Sequence, residues 1–368
     1  MEIRENIPLA PYTTLKVGGD ARYFAEATDD DDVIEAVRWA RARALPLFVL
    51  GGGSNLLVSD AGFHGLVLHM SIGGIAHEDH DGKRIYSAGA GVEWDTFVAG
   101  AVRDNCAGVE CLSGIPGTVG GTPIQNVGAY GQDVSETIVR VCAVDATTLE
   151  RVEFDPSACG FRYRQSRFNG SEAGRYIVTR VDYALQPGGA PKIAYAELKR
   201  HLNDGDGISS LSEVRAAVLA IRRVKGMVLD EEDADSRSAG SFFKNPVVSL
   251  VDYDRIAAAS AVPVPHFEAY PGEAGPGEPK PAHVKLAAAW LIEQAGIARG
   301  FALGPVGISS KHTLALINRG GATAADMLRM KDFVQQQVRL RFAVELLPEP
   351  VMLGFGMGGG VGAHTPPC

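Results

Sequence analysis

Residues 1 to about 205 predict an α+β fold with two small lobes around one ligand, and a separate second domain follows. Three observations carry that reading. Short strand-like runs alternate with single helical ones through the first region, and two glycine-rich loops interrupt them. After a break at Gly189-Ala190-Pro191-Lys192, the run Leu211 to Met227 places apolar residues at i, i+3 and i+4, the spacing of a helix. These signals divide the chain into 1–208, with its lobes split near residue 70, and 209–354, with 355–368 as a disordered tail.

Tyr23 to Ala27 reads as the first clear strand. Thr28 and the acids Asp29 to Asp32 then open a helix through about Arg43, because carboxylates are favoured at the positive end of the helix dipole. Leu47 to Leu50 is the next strand. It delivers Gly51-Gly52-Gly53-Ser54-Asn55 to a strand end, where small α/β units place ligands. Three glycines remove every Cβ, so the backbone N–H groups can close on an anion such as a pyrophosphate; the same residues also suit a tight strand-to-strand turn.

Gly65 to Met70, Arg84 to Ala88, Val139 to Val144 and Tyr176 to Tyr183 continue as strands, and Glu93 to Asn105 has helical period. Cys142 occupies a buried strand position, whereas His77 and His80 fall in a polar, turn-like run. Between these elements Ser113 to Gly131 holds six glycines and two prolines, yet an apolar residue recurs every few steps. Pinned φ at Pro116 and Pro123 and permissive φ at the glycines describe a folded loop packed on something flat, with Ser113, Thr118, Thr122 and Asn126 able to hydrogen-bond. Neither loop is a G-x-G-x-x-G opening a helix or a G-x-x-x-x-G-K-[ST]; Gly354 to Gly359 matches the first only by letter, near the C-terminal end. Any dinucleotide here is held by something other than a Rossmann unit.

In the second domain Pro263 to Pro281 reads as an exposed loop, with helices at Val284 to Ala295 and Ala324 to Phe342. Composition narrows the function classes. An apolar fraction of 46% and a charged fraction of 21% are those of an ordinary globular protein, and a net charge of −9 argues against nucleic acid as the main partner. The short basic runs Arg38 to Arg43 and Arg222-Arg223 read as solvated helix faces. The charged N-terminus lacks a signal-peptide core and no window approaches the roughly 18 apolar residues of a span, so a cytoplasmic protein without a membrane partner is expected. Five cysteines without a C-x-x-C pair and nine histidines without an H-x-x-x-H pair predict neither a disulfide framework nor a metal site.

Three further clusters carry chemistry. In Phe161-Arg162-Tyr163-Arg164-Gln165-Ser166-Arg167-Phe168 arginines alternate with aromatics, offering a planar fork to a carboxylate or phosphate, or else forming a polar strand. Ser238-Ala239-Gly240-Ser241-Phe242-Phe243-Lys244-Asn245-Pro246 contains no nucleophile elbow, so Ser241 reads as a proton donor or hydrogen-bonding residue, against an ordinary buried turn. Pro348-Glu349-Pro350 fixes one carboxylate between two prolines, as a surface turn would too.

In order and spacing over roughly residues 9 to 354, the two glycine loops, Tyr163-Arg164, Ala239 to Pro246 and Pro348-Glu349 resemble the UDP-N-acetylenolpyruvoylglucosamine reductase (MurB) flavoenzyme family. The resemblance implies a two-lobed FAD-binding region of the vanillyl-alcohol-oxidase (PCMH) type and an α+β substrate-binding domain, acting on a peptidoglycan precursor. It implies noncovalent FAD on Gly51, Gly52, Gly53, Ser54, Asn55, Ser113, Gly114, Gly117, Thr118, Gly120 and Gly121, with NADPH as hydride donor. By the same resemblance Arg164, Ser241 and Glu349 match catalytic positions. Tyr163, Tyr195, Lys225 and Asn245 match substrate contacts, as do Arg299 and His312 after a one-residue insertion. Tyr195 points to the first type of the family, in which a tyrosine-bearing loop closes over the substrate. Where the family often has a second glutamate and a valine around the catalytic one, this chain has Leu347 and Pro350. Two other readings compete: an FAD-dependent alcohol or sugar oxidase on the same fold, and a non-catalytic flavin or nucleotide-sugar binding protein.

Overall fold

The computed structural model describes residues 1–202, 209–269 and 283–356. Its first lobe contains β1 (Arg4–Pro8), β2 (Asp20–Ala27), α1 (Asp30–Arg41), β3 (Leu47–Leu50), β4 (Leu56–Val58) and β5 (Phe63–Met70). β1, β2, β5 and β3 lie side by side in that order, with β2, β5 and β3 parallel. Parallel neighbours require a crossover, and α1 supplies one. Asp29 caps it by accepting the Asp32 N–H at 2.8 Å, and Val33, Ile34, Ala36, Val37 and Ala40 bury one face with Leu66 and Leu68 of β5.

The second lobe begins with β6 (Ile75–His80), β7 (Lys83–Gly89), α2 (Trp94–Arg103) and β8 (Cys106–Ala107). It continues through β9 (Gly128–Ala129), β10 (Gln132–Asp133), β11 (Ile138–Asp145), β12 (Arg151–Phe154), α3 (Pro156–Cys159), β13 (Tyr176–Pro187), α4 (Ala196–His201) and α5 (Leu211–Val224). An antiparallel sheet runs β12-β11-β13-β7-β6. The flat support beneath the second glycine loop is aromatic: Phe97 stacks on Trp94 with centroids 5.3 Å apart and meets Tyr183 at 4.8 Å. Both polar handles are used, since Trp94 Nε1 donates to the Leu112 carbonyl (3.1 Å) and the Tyr183 hydroxyl shares a 2.7 Å bond with Thr122.

Two sequence expectations change in this lobe. His77 and His80 belong to β6, an edge strand exposed along its whole length; with no buried face it shows no apolar alternation to read. Arg222 is buried rather than solvated: its guanidinium donates to the carbonyls of Gly114 (3.2 Å) and Met227 (2.8 Å), while Arg223 stays exposed. α5, beyond the 209 boundary, packs Val214, Ala217, Val218 and Ile221 on Cys111 and Leu198, and Leu211 joins the core of the second lobe.

The remaining elements are β14 (Val247–Ser249), α6 (Leu250–Ala258), β15 (His266–Glu268), β16 (His283–Leu286), α7 (Ala288–Gln294), β17 (Ala302–Leu303), β18 (Val306–Ile308), β19 (Leu316–Asn318), α8 (Ala324–Phe342) and β20 (Val351–Leu353). The helix expected from Val284 starts only at Ala288. Residues 283–286 are instead the centre strand of β14-β16-β15, and Asn245 Oδ1 accepts the Ala288 N–H (2.9 Å) where the helix begins. The expected loop at 263–281 contributes β15; residues 270–282 and the tail from 357 lie outside the described residues. α8 matches its expected span, and its first N–H groups, from Ala324 and Ala325, donate to Asp60 of the first lobe at 2.7 and 2.9 Å. Among the described residues no helix is long and apolar enough to cross a membrane.

The third core is not built from the C-terminal elements alone. Met327, Met330, Val334 and Val338 of α8 share a cluster with Phe242, Leu286 and Leu291, and also with Leu15, Val17 and Leu57 from the first lobe. β20 returns to pair in parallel with β4, and the Val351 N–H donates to the Asn55 carbonyl (2.9 Å). Leu57→Ala should therefore loosen the whole chain, lowering unfolding free energy in urea by about 2–5 kcal/mol. A loss well under about 1 kcal/mol would mean that Leu57 is not a structural tie between lobe and domain.

Candidate active site

The first glycine loop is shaped by backbone on two sides. A Cβ on Gly52 would lie 2.7 Å from the Gly117 Cα, and one on Gly53, whose φ is +60°, would fall on the Tyr12 carbonyl oxygen. Gly51 packs against Thr118, and Ser54 Oγ donates to the Pro116 carbonyl (2.9 Å). Asn55 Nδ2 donates to Gln125 Oε1 (3.0 Å) and to the Glu349 carbonyl (3.4 Å). The two loops thus face each other in contact.

The second loop is stitched to residues 90–94. Trp94 N–H donates to the Gly117 carbonyl (3.0 Å), Val119 N–H to Val92 (2.9 Å) and Gly120 N–H to Ala90 (2.9 Å), while Gly121 N–H closes onto Thr118 (3.0 Å). Gly114 is held from both sides: its N–H donates to Asp95 (2.6 Å) and its carbonyl accepts from Arg222. Asp95 is itself clamped by two bonds from Arg215, at 2.6 and 2.7 Å. Ser113, expected at the cofactor, is fully buried and its hydroxyl donates to Glu110 (2.6 Å).

These loops fit a phosphate-bearing cofactor. Among the described residues the N–H groups of Gly52, Gly53 and Ser54 make no hydrogen bond, and the buried Thr118 Oγ1 has no partner. Unmet donors and an orphaned hydroxyl beside a glycine turn are what an anionic ligand satisfies.

The arginine–aromatic run forms a turn rather than a strand. Arg162 and Gln165 exchange backbone hydrogen bonds (2.8 and 3.2 Å), and Arg164 is held at φ +53°, an uncommon conformation for a residue with a Cβ. Arg164 Nη2 donates to the Gly128 carbonyl (2.9 Å), and Nε lies 3.3 Å from Glu349 Oε1. Tyr163 lies beside it, with Lys285 Nζ 3.8 Å from the ring centroid. Lys285 lies on β16, where Val284-Lys285-Leu286 fits a helical and a strand pattern alike, so no local signal marks it.

Glu349 arrives from the far end of the chain. Lys244 N–H donates to Leu347, Glu349 N–H to Phe242 (2.9 Å each) and Phe242 N–H to Leu314 (2.8 Å). Ser241 is therefore next in chain to the residue that accepts the Glu349 N–H, and the buried rings of Phe242 and Phe243 pin the segment. Burial pushes the Glu349 carboxyl above the usual carboxylate range, with Arg164 and then Lys244 pulling against it. Asn245, expected at the substrate, directs its side-chain oxygen at the start of α7.

The other expected substrate contacts gather on the α4–α5 side. Lys225 ends α5, Tyr195 precedes α4 and packs edge-on to Tyr130 at 5.6 Å, and Lys225 Nζ is 2.6 Å from Glu197. His312 belongs to the same cluster: burial, then Lys225 and Arg299, hold its imidazole down to about 4. Arg299 is largely exposed, 3.9 Å from Glu293.

Comparison with known proteins gives a consistent picture. Residues 232–353 match the family described as UDP-N-acetylenolpyruvoylglucosamine reductase, C-terminal domain, and residues 21–149 match an FAD binding domain. The UDP-N-acetylenolpyruvoylglucosamine reductase of Thermobifida fusca is 47% identical over 356 residues, covering 95% of this chain and 97% of its own. That of Streptomyces coelicolor is 45% identical, with 95% and 90% covered. The crystal structure of UDP-N-acetylenolpyruvylglucosamine reductase (MurB) from Thermus caldophilus superposes with a TM-score of 0.64 at 26% identity, covering 96% of this chain and all of that one.

The raised Glu349 carboxyl has a signed consequence for stability. Between the unfolded and folded titrations the folded chain binds the extra proton, so stability is present at low pH and is lost as pH rises through the folded value. Glu349→Gln removes that loss: its Tm relative to wild type should rise as pH climbs through and above the ordinary carboxylate range, about pH 4.3. A constant difference across that range would show that Glu349 titrates normally.

Proposed function

The chain belongs to the UDP-N-acetylenolpyruvoylglucosamine reductase family, and from that premise we propose how its residues reduce UDP-N-acetylglucosamine enolpyruvate to UDP-N-acetylmuramate with noncovalent FAD and NADPH. The observation that supports the reading most is the Arg164–Glu349 pair, 3.3 Å apart, where Asn55 of the first glycine loop also bonds the Glu349 carbonyl.

When bound, FAD would supply the two-electron redox chemistry that links NADPH to the vinyl group of the substrate. Gly51 to Asn55 would hold a bound FAD, with the unmet N–H groups of Gly52, Gly53 and Ser54 suited to its pyrophosphate, and Gly114, Gly117, Thr118, Gly120 and Gly121 would form the facing wall. Arg164 binds the enolpyruvyl carboxylate with its planar fork and stabilises the negative charge that gathers there during reduction. Glu349, whose carboxyl burial shifts upward, stabilises the same charge in its protonated or proton-sharing form. Ser241 delivers a proton to the carbon beside the carboxylate. Tyr163, Tyr195, Lys225, Asn245, Arg299 and His312 receive the nucleotide-sugar, with the Tyr195 segment closing over it. The setting is the bacterial cytoplasm, in peptidoglycan precursor synthesis.

The visible spectrum of the purified protein tests this reading under anaerobic conditions. A flavin band that NADPH bleaches and the enolpyruvyl nucleotide restores supports it; restoration only by oxygen favours an oxidase, and a colourless protein without flavin affinity rejects flavin chemistry. Ser241→Ala should leave bleaching by NADPH near wild type while slowing restoration by the nucleotide about 10²–10⁴-fold. Equal slowing of both half-reactions would remove Ser241 from the proton-transfer role.

A further inference from the structure

Lys225 already has an anion. Its ammonium is 2.6 Å from a Glu197 carboxylate oxygen, with the two side chains 28% and 32% exposed. Glu197 lies in the first turn of α4, two residues after Tyr195, whereas Lys225 ends α5, so this contact ties the Tyr195 segment to the helix that carries Lys225. Tyr130 backs the tie, with the Tyr195 ring edge-on at 5.6 Å and Lys225 Nζ 6.0 Å from its centroid. The neighbouring Arg299 repeats the pattern: it faces Glu293, whose carboxylate also accepts the Thr313 hydroxyl. The charges of both pairs act on the His312 imidazole, which burial holds down to about 4. Two cations, Lys225 and Arg299, are thus each paired with a carboxylate that the reaction does not use.

We propose that Glu197 is an internal counter-ion occupying the place of the substrate's diphosphate on Lys225: it joins Lys225 to the Tyr195 segment in the free enzyme and is displaced when the nucleotide binds. The proposal rests on the reading of Lys225 and Tyr195 as substrate contacts. A partly buried ammonium left without an anion is costly, so the free enzyme keeps one within the chain. A diphosphate brings more negative charge to the same cation and repels the carboxylate it replaces. Nucleotide affinity is therefore lowered by whatever is needed to separate Glu197 from Lys225, and Glu197 discriminates against ligands too weakly charged to do so.

The test titrates the flavin-loaded enzyme with UDP by calorimetry, using wild type, Glu197→Gln, Glu197→Asp and Lys225→Gln. Glu197→Gln should bind UDP about three- to ten-fold more tightly, Glu197→Asp should stay near wild type because it keeps the carboxylate, and Lys225→Gln should bind more weakly. Weaker or unchanged UDP binding by Glu197→Gln, alongside weaker binding by Lys225→Gln, would overturn the proposal and leave Glu197 as a residue that orients Lys225. Unchanged binding by Lys225→Gln would overturn the substrate-contact reading as well.

Discussion

Two backbones approach closely at Gly52 and Gly117, and the rest of the site hangs from that contact. A Cβ at Gly52 would lie 2.7 Å from the opposing Cα, closer than packed atoms allow. With that space left empty, Ser54 reaches Pro116 and Asn55 reaches Gln125, so the loops of two different lobes become one wall. Asn55 extends the wall to the C-terminal domain through the carbonyl of Glu349, and the Val351 N–H returns a bond to Asn55. A side chain at this crossing would move three bodies.

Charge in the site is arranged on that scaffold, and Arg164 and Lys225 are each matched to a carboxylate. Arg164 faces Glu349, whose carboxyl burial shifts towards the protonated form. Lys225 faces Glu197, which sits in the first turn of α4. Holding Arg164 at positive φ has a conformational cost that the surrounding turn sustains, through bonds from Asn169 to the Arg164 carbonyl and from Arg164 to Gly128. Such strain is found where direction matters more than local stability.

The same economy of parts explains why the domains are not separable segments. Thr14 illustrates it: its N–H donates to Gly53 and its hydroxyl to Ser238, 224 residues away (2.6 Å). Leu15 and Val17 then continue into the core built around α8. α5 goes the opposite way, following the boundary in sequence but packing on the second lobe and holding Gly114 through Arg222. The glycine loops and the Arg164–Glu349 pair are consequently joined by chain from both halves.

Local chemistry made much of this legible in the amino-acid sequence. The span of α8, the β-α-β entry to the glycine triplet and the two glycine loops follow from periodicity, caps and missing Cβ atoms, which act over a few residues. Five short motifs in order were enough to place the chain in its family. Contacts between distant residues were not legible. Val284 to Leu286 became strand because β14 and β15 flank it, β6 carried no pattern because neither face is buried, and Arg222 was drawn inside by carbonyls at Gly114 and Met227. Nor could the sequence pair Arg164 with Glu349 or Lys225 with Glu197. Motifs specify which groups exist, but a pair 185 residues apart is set by β20 docking on β4, and the charge state of its carboxyl by the burial that docking creates.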